Sequence, residues 1–127
     1  MKDNISIDIP SNPNINQEDF IGNDILIPNH PRILMLKGEE DTISANITAN
    51  ETWNKLHQTI LSECESLISI APLERVQIGR HILDTSREAL RRIFFLSYAY
   101  RLTKEQKYFE RALKEMVSVS SFTDWNP

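Results

Sequence analysis

The chain has 127 residues, 40% of them hydrophobic, about one domain's worth of sequence and enough to bury a modest core. Only 3 glycines argue against a turn-rich β-sandwich and against glycine loops that cradle phosphate, and 18 acidic against 14 basic residues give a net charge of -4. That balance supplies no electrostatic reason to expect nucleic acid or an anionic membrane as a partner.

Residues 1–29 are rich in Asn, Ile, Asp and Pro. Ile5, Ile7 and Ile9 alternate with polar residues as in a short half-buried strand. The rest of 1–29 reads as an extended, loosely ordered N-terminal arm. Met1-Lys2-Asp3-Asn4 lacks the run of roughly 7–15 apolar residues that a secretory signal needs, and no stretch approaches the roughly 20 of a membrane span. With Met1 taken as a true start, the expected location is the cytoplasm. After His30-Pro31, the apolar run from Ile33 to Leu36 suggests an extended segment docking on the helices.

A weak short helix is expected near 39–46, and three clearer ones follow. The first covers about 50–69. Thr48 with Glu51 has capping-box spacing and Asn50 is a rival cap, while Trp53, Leu56, Ile60, Cys64, Leu67 and Ile68 form its apolar stripe. Pro72 lies where a helix has just ended. The second runs from Arg80 or Asp84 to Arg101. Its C-terminal half, Ile93 through Tyr100, carries no charge, as in a helix covered on more than one side and central to its fold. The third is expected to open at Thr103, in capping-box spacing with Gln106, and to present Tyr108, Ala112, Leu113, Met116 and Val119 or Ser120 inward. The short gap after Arg101 makes the last two helices an antiparallel αα-hairpin.

Chemistry is sparse. Cys64 is the single cysteine, so no intramolecular disulfide or thiolate-rich metal site can form, and its helical spacing from Trp53, Leu56 and Ile60 suggests a buried small hydrophobe. His57 sits on the same stripe as a core or boundary histidine, and His81 is expected to be solvated beside Arg80. No histidine pair has helical zinc spacing, so no metal is expected. Tyr98, Tyr100 and Tyr108 read as packing residues with a hydroxyl partner. Arg87, Arg91 and Arg92 could meet an anionic sugar, but Glu88 beside them favours an intramolecular ion-pair face. The triplets at Asn46 and Asn50 match the glycosylation pattern, yet capping already accounts for Thr48 and Asn50.

Four strings carry a resemblance: His30-Pro31-Arg32-Ile33-Leu34, then Gly79-Arg80 through Leu83, then Ser86 through Ile93 with Leu96 through Thr103, and Asp124-Trp125-Asn126-Pro127. In this order they resemble the N-terminal region of heparinase II/III-like proteins, large and mainly bacterial polysaccharide lyases, over about residues 30–127. The resemblance implies an α/α-toroid followed by β-sandwich domains, export to the periplasm or beyond, and an acidic polysaccharide such as heparin or heparan sulfate in the toroid cleft. It implies β-elimination, in which the uronate carboxylate is neutralised, a Tyr or His base removes the C5 proton, and an acid protonates the leaving oxygen. The family's catalytic residues lie beyond Asp-Trp-Asn-Pro, so no catalytic residue, and no cofactor, carries over to this chain. Trp125 and Asn126 are the candidate sugar contacts at the cleft edge, with core or turn packing as their competing role. The expectation is therefore an all-α assembly of αα-hairpins, the first part of an incomplete toroid. It would be inactive alone and would lack the later helices and β-sandwich of a longer chain. Two rivals stand beside it. A tetratricopeptide-like interaction module would need its hairpin to recur at about 34 residues. Another α/α-toroid carbohydrate-active enzyme, such as a glycoside hydrolase, would need paired inward carboxylates, and Asp84 and Glu88 lie one turn apart on a single helix.

Overall fold

The computed structural model describes residues 29–31 and 33–125, so the alternation at Ile5–Ile9 and most of the expected arm lie outside the described residues. Chain contacts divide the protein between Lys37 and Gly38. In the first unit the His30–Pro31 peptide bond is cis. Residues 33–35 form bends rather than one extended stretch, with Ile33 and Leu34 exposed.

The second unit is all-helical among the described residues: α1 Glu39–Ala49, α2 Glu51–Ile68, α3 Leu83–Thr103 and α4 Gln106–Ser120. Gly38 opens α1 with a left-handed φ of 92°, a conformation glycine adopts without a Cβ penalty. Its N–H donates to the Glu40 carboxylate at 2.9 Å. Glu39, Glu40 and Asp41 put negative charge at the positive end of the α1 dipole. No α1 residue is buried. Glu40 ties the helix to α3, accepting from Arg101 Nε at 2.8 Å and pairing with its guanidinium at 2.6 Å.

A single residue joins α1 to α2. Asn50 is extended, which breaks the helical path, and its Oδ1 accepts from the N–H groups of Thr52 (2.9 Å) and Trp53 (3.3 Å). Asn50 thus takes the cap. Thr48 instead donates its hydroxyl back to Ser44 O at 3.0 Å. The expected apolar stripe of α2 is buried only in its C-terminal half, at Cys64 and Leu67 with Ile60, Leu61 and Ile68 beside them, while Trp53 and Leu56 are exposed.

The α3/α4 hairpin closes through a different residue from the one the capping-box spacing picks out. Thr103 is the last residue of α3, its hydroxyl donating to Ala99 O at 2.8 Å. Lys104 follows with φ 60°, its N–H bonding Tyr100 O at 2.7 Å, and α4 starts only at Gln106. The Thr103 hydroxyl does accept from the Glu105 N–H at 3.2 Å, so it serves the turn rather than the start of α4. Tyr100 meets Phe109 and Arg92 meets Glu115, the pairing of antiparallel neighbours. Small Ala99 and Ala112 sit in the shared core with Cys64, Leu67, Leu96 and Tyr108, where each large apolar side chain contributes roughly 1.5–3 kcal/mol.

The sequence misreads α4 most. Its buried residues are Tyr108, Arg111, Ala112 and Glu115, whereas Leu113 and Met116 are exposed. Helical spacing alone allows either face. The chain turns the charged pair inward because Arg111 and Glu115 satisfy one another and a neighbouring loop. On α3, which packs against α1, α2 and α4 as a central helix should, Leu90 is 56% and Phe94 50% exposed, so the apolar half is not covered all round.

Candidate functional site

Residues 69–82 connect α2 to α3 without regular structure beyond one isolated bridge, and a polar network fixes them in place. Its hub is the Glu115 carboxylate, 0% exposed. One oxygen accepts from Arg111 Nε (3.0 Å), from Arg111 Nη2 (2.7 Å) and from Arg92 (3.1 Å), and the other accepts from the Leu73 N–H (2.9 Å). A buried carboxylate persists only when its lone pairs are met in this way. The same two arginines reach loop carbonyls, Arg111 at Ile70 (2.6 Å) and Arg92 at Ala71 (3.3 Å). Ser118 donates to Leu73 O at 2.6 Å, and Thr85 to Val76 O at 2.7 Å. Arg75 grips both carboxylate oxygens of Asp124 at 2.7 and 2.9 Å, although its buried Nε has no partner among the described residues.

The loop then folds back on itself. Ile78 and His81 exchange backbone hydrogen bonds at 3.0 and 3.2 Å around Gly79, whose φ of 64° suits the tight turn. This places Leu73, Val76 and Ile78 against Ile82 and Leu83 at the start of α3 and encloses a cleft of about 470 Å³. His81, Asp84, Thr85 and Glu88 supply its polar lining.

The electrostatics of the cleft limit its chemistry. Glu88 accepts from Arg91 at 2.8 Å on each oxygen and from Arg92 at 2.7 Å, and these guanidinium bonds hold its pKa down at about 2 against the opposing effect of burial. It is therefore ionised throughout the physiological range and is no proton donor. Arg91 also bridges to Glu63 of α2 at 3.1 Å, so the Arg91/Arg92 patch is an internal ion-pair face.

No protein-family model and no curated protein matches this chain.

Of the two expected sugar contacts, Trp125 is 45% exposed and stacks on Phe122 with ring centroids 5.1 Å apart, and Asn126 lies outside the described residues. Asp124, the neighbour of Trp125, is tethered through Arg75 to the cleft loop. The structure does not bring Trp125 among the groups lining the cleft. His57 is half-buried at the α2–α3 contact, its Nδ1 2.9 Å from the Tyr98 hydroxyl, a satisfied boundary histidine. His81 is exposed and precedes α3 rather than opening it. The Tyr108 hydroxyl donates to Glu65 at 2.5 Å, and burial followed by that bond pushes its pKa up to about 12. Burial likewise raises Cys64, 0% exposed, to about 11, which leaves it an unreactive thiol at neutral pH. Among the described residues no cluster of three or more His, Cys, Asp or Glu could hold a metal, and no helix is long and apolar enough to cross a membrane.

Sequence reasoning missed the Glu115 hub. Its signal was present: Tyr108, Arg111, Ala112 and Glu115 lie at helical spacing on one face, but two charges on that stripe disguised it as a solvated one.

Proposed function

We propose that this chain is the N-terminal helical part of a heparinase II/III-like polysaccharide lyase, supplying toroid wall and no catalytic group of its own. The sequence strings suggest the family, and one structural observation supports the architecture. The α3/α4 hairpin buries one face against α2 yet carries Leu90, Phe94, Phe109, Leu113, Met116 and Val117 exposed. A hairpin apolar on both faces is suited to a stack of helix pairs, in which the next pair covers the open side. The tetratricopeptide-like rival has less support. It needs two like hairpins, whereas α1 and α2 have 11 and 18 residues joined by one residue, and α3 and α4 have 21 and 15 joined by two.

In this reading the acidic polysaccharide lies in the cleft of the complete toroid. Base and acid for β-elimination come from outside the chain, and Trp125 contributes at most an aromatic edge. The test pairs two proteins. The coding sequence beyond Pro127 is expected to continue into further helix pairs and a β-sandwich, and the longer product to release unsaturated uronate from heparin or a related polysaccharide. The 127-residue chain should release none. Product from the short chain would overturn the scaffold role, and an extended protein inert on every uronic polysaccharide would overturn the family reading.

A further inference from the structure

We propose that the cleft between the 69–82 loop and the start of α3 binds a small ligand with an apolar body and a single cationic group. The proposal is independent of the lyase reading. The cavity of about 470 Å³ falls within the range of small-molecule sites, roughly 300–1,000 Å³. Its walls are aliphatic, formed by Leu73, Val76, Ile78 and Ile82, and several of these side chains remain open to solvent where a core would have closed over them. The wall is also rigidly built. Glu115, Ser118, Thr85 and two arginines hold an irregular loop through its backbone, so the cleft exists before any ligand arrives.

Charge decides the ligand class. The carboxylates lining the cleft are Asp84 and Glu88, one turn apart on α3. Glu88 is saturated by Arg91 and Arg92. Asp84 is exposed and makes no ion pair among the described residues, although Arg80 and Arg87 flank it in sequence. An ammonium on an apolar ligand would pair with Asp84 while its hydrocarbon fills the aliphatic wall. An anion would meet the Asp84 carboxylate without a matching cation in the lining.

The test titrates the 127-residue protein with n-hexylammonium and, at equal chain length, with hexanol and hexanoate, following backbone amide NMR signals. Shifts are expected on residues 73–88. Hexylammonium should bind about fivefold tighter than hexanol, the ratio that a half-exposed charge pair of ~1 kcal/mol gives, with hexanoate weakest. Asp84→Asn should abolish the preference for the ammonium and keep hexanol binding, whereas Val76→Trp, which fills the cleft, should weaken both. Absent shifts at 73–88, hexanoate binding as tight as that of hexylammonium, or an undiminished ammonium preference in Asp84→Asn would each overturn the proposal.

Discussion

Glu115 joins a helix that the sequence makes look two-sided to a loop with almost no regular structure. Replacing it with Leu leaves the buried Arg111 guanidinium without its carboxylate, Arg92 with Glu88 as its remaining carboxylate partner, and the Leu73 N–H without an acceptor. Breaking a buried ion pair from one side costs about 3–5 kcal/mol, so the urea midpoint of Glu115→Leu should fall steeply at constant slope. Glu88 behaves differently because it is partly open to solvent, and its effect is read through pH. Its folded pKa, about 2, lies below the ordinary value of 4.5, so its pairing stabilises the fold above that value and is lost as pH falls through about 2. The stability difference between wild type and Glu88→Gln should therefore shrink as pH is lowered from about 4.5 towards 2, measured by denaturant titration at each pH. Cys64 gives the chain an internal reporter: a thiol reagent at neutral pH should label it only as fast as the core opens, and urea should accelerate the reaction. The buried thiol was legible in the sequence from its place on an apolar stripe. The Glu115 hub was not, because charge at a helical position ordinarily means solvent.

The elements themselves were largely legible, and their ends were less so. The four helices of the described residues are anticipated, three by apolar spacing and α1 only as a weak short helix near 39–46, and Pro72 marks the close of α2 as expected. The start of the last helix was missed, at Gln106 rather than Thr103, whereas the start of α2, expected at about 50, was met and only its cap was contested. Asn50 outcompetes Thr48 because its side chain reaches two free N–H groups while Thr48 remains inside α1. Asn50→Ala should therefore cost ~1 kcal/mol of stability and fray the start of α2, visible as a lower melting temperature with the helical spectrum otherwise kept. Lys104 shows the opposite opportunity. A residue with a Cβ is held in the left-handed region at φ 60°, and its ammonium is mostly exposed. Lys104→Gly should raise stability by about 0.5–1 kcal/mol, since glycine meets no Cβ penalty there and the exposed charge contributes little. The 69–82 loop was invisible as a site because no local motif encodes it. Much of its order comes from residues 41 to 49 positions away, such as Ser118 on Leu73 and Asp124 on Arg75, and single-sequence periodicity does not see such pairings.

For the molecule as a whole, the open face of the α3/α4 hairpin outweighs any single contact. Leu90 at 56% and Phe94 at 50% on α3, with Leu113 at 45% on α4, leave large apolar side chains of both hairpin helices in solvent. The 127-residue protein should bind a hydrophobic dye in its folded state. Phe94→Gln with Leu113→Gln should lower that fluorescence while changing stability by only about 0.5 kcal/mol each, as surface substitutions do. Dye binding unchanged in the double variant would place the exposed surface elsewhere. The apolar run of α3 was correctly legible as belonging to a central helix, but which side stays open depends on the direction of approach of α1 and α2, whose contacts with α3 join residues far apart in sequence, among them Arg101–Glu40 and Arg91–Glu63.

The Leu73 amide shows how those scales meet. It belongs to an irregular stretch, where amide protons ordinarily trade with solvent within fluctuations far smaller than global unfolding. Yet its hydrogen points at a carboxylate that is 0% exposed and is held from its other oxygen by Arg111 of α4 and Arg92 of α3. In deuterated water this one loop proton should persist as long as those of the helical core, while Gln77 and Gly79 nearby exchange early. The loop would thus carry a clock set by the hairpin.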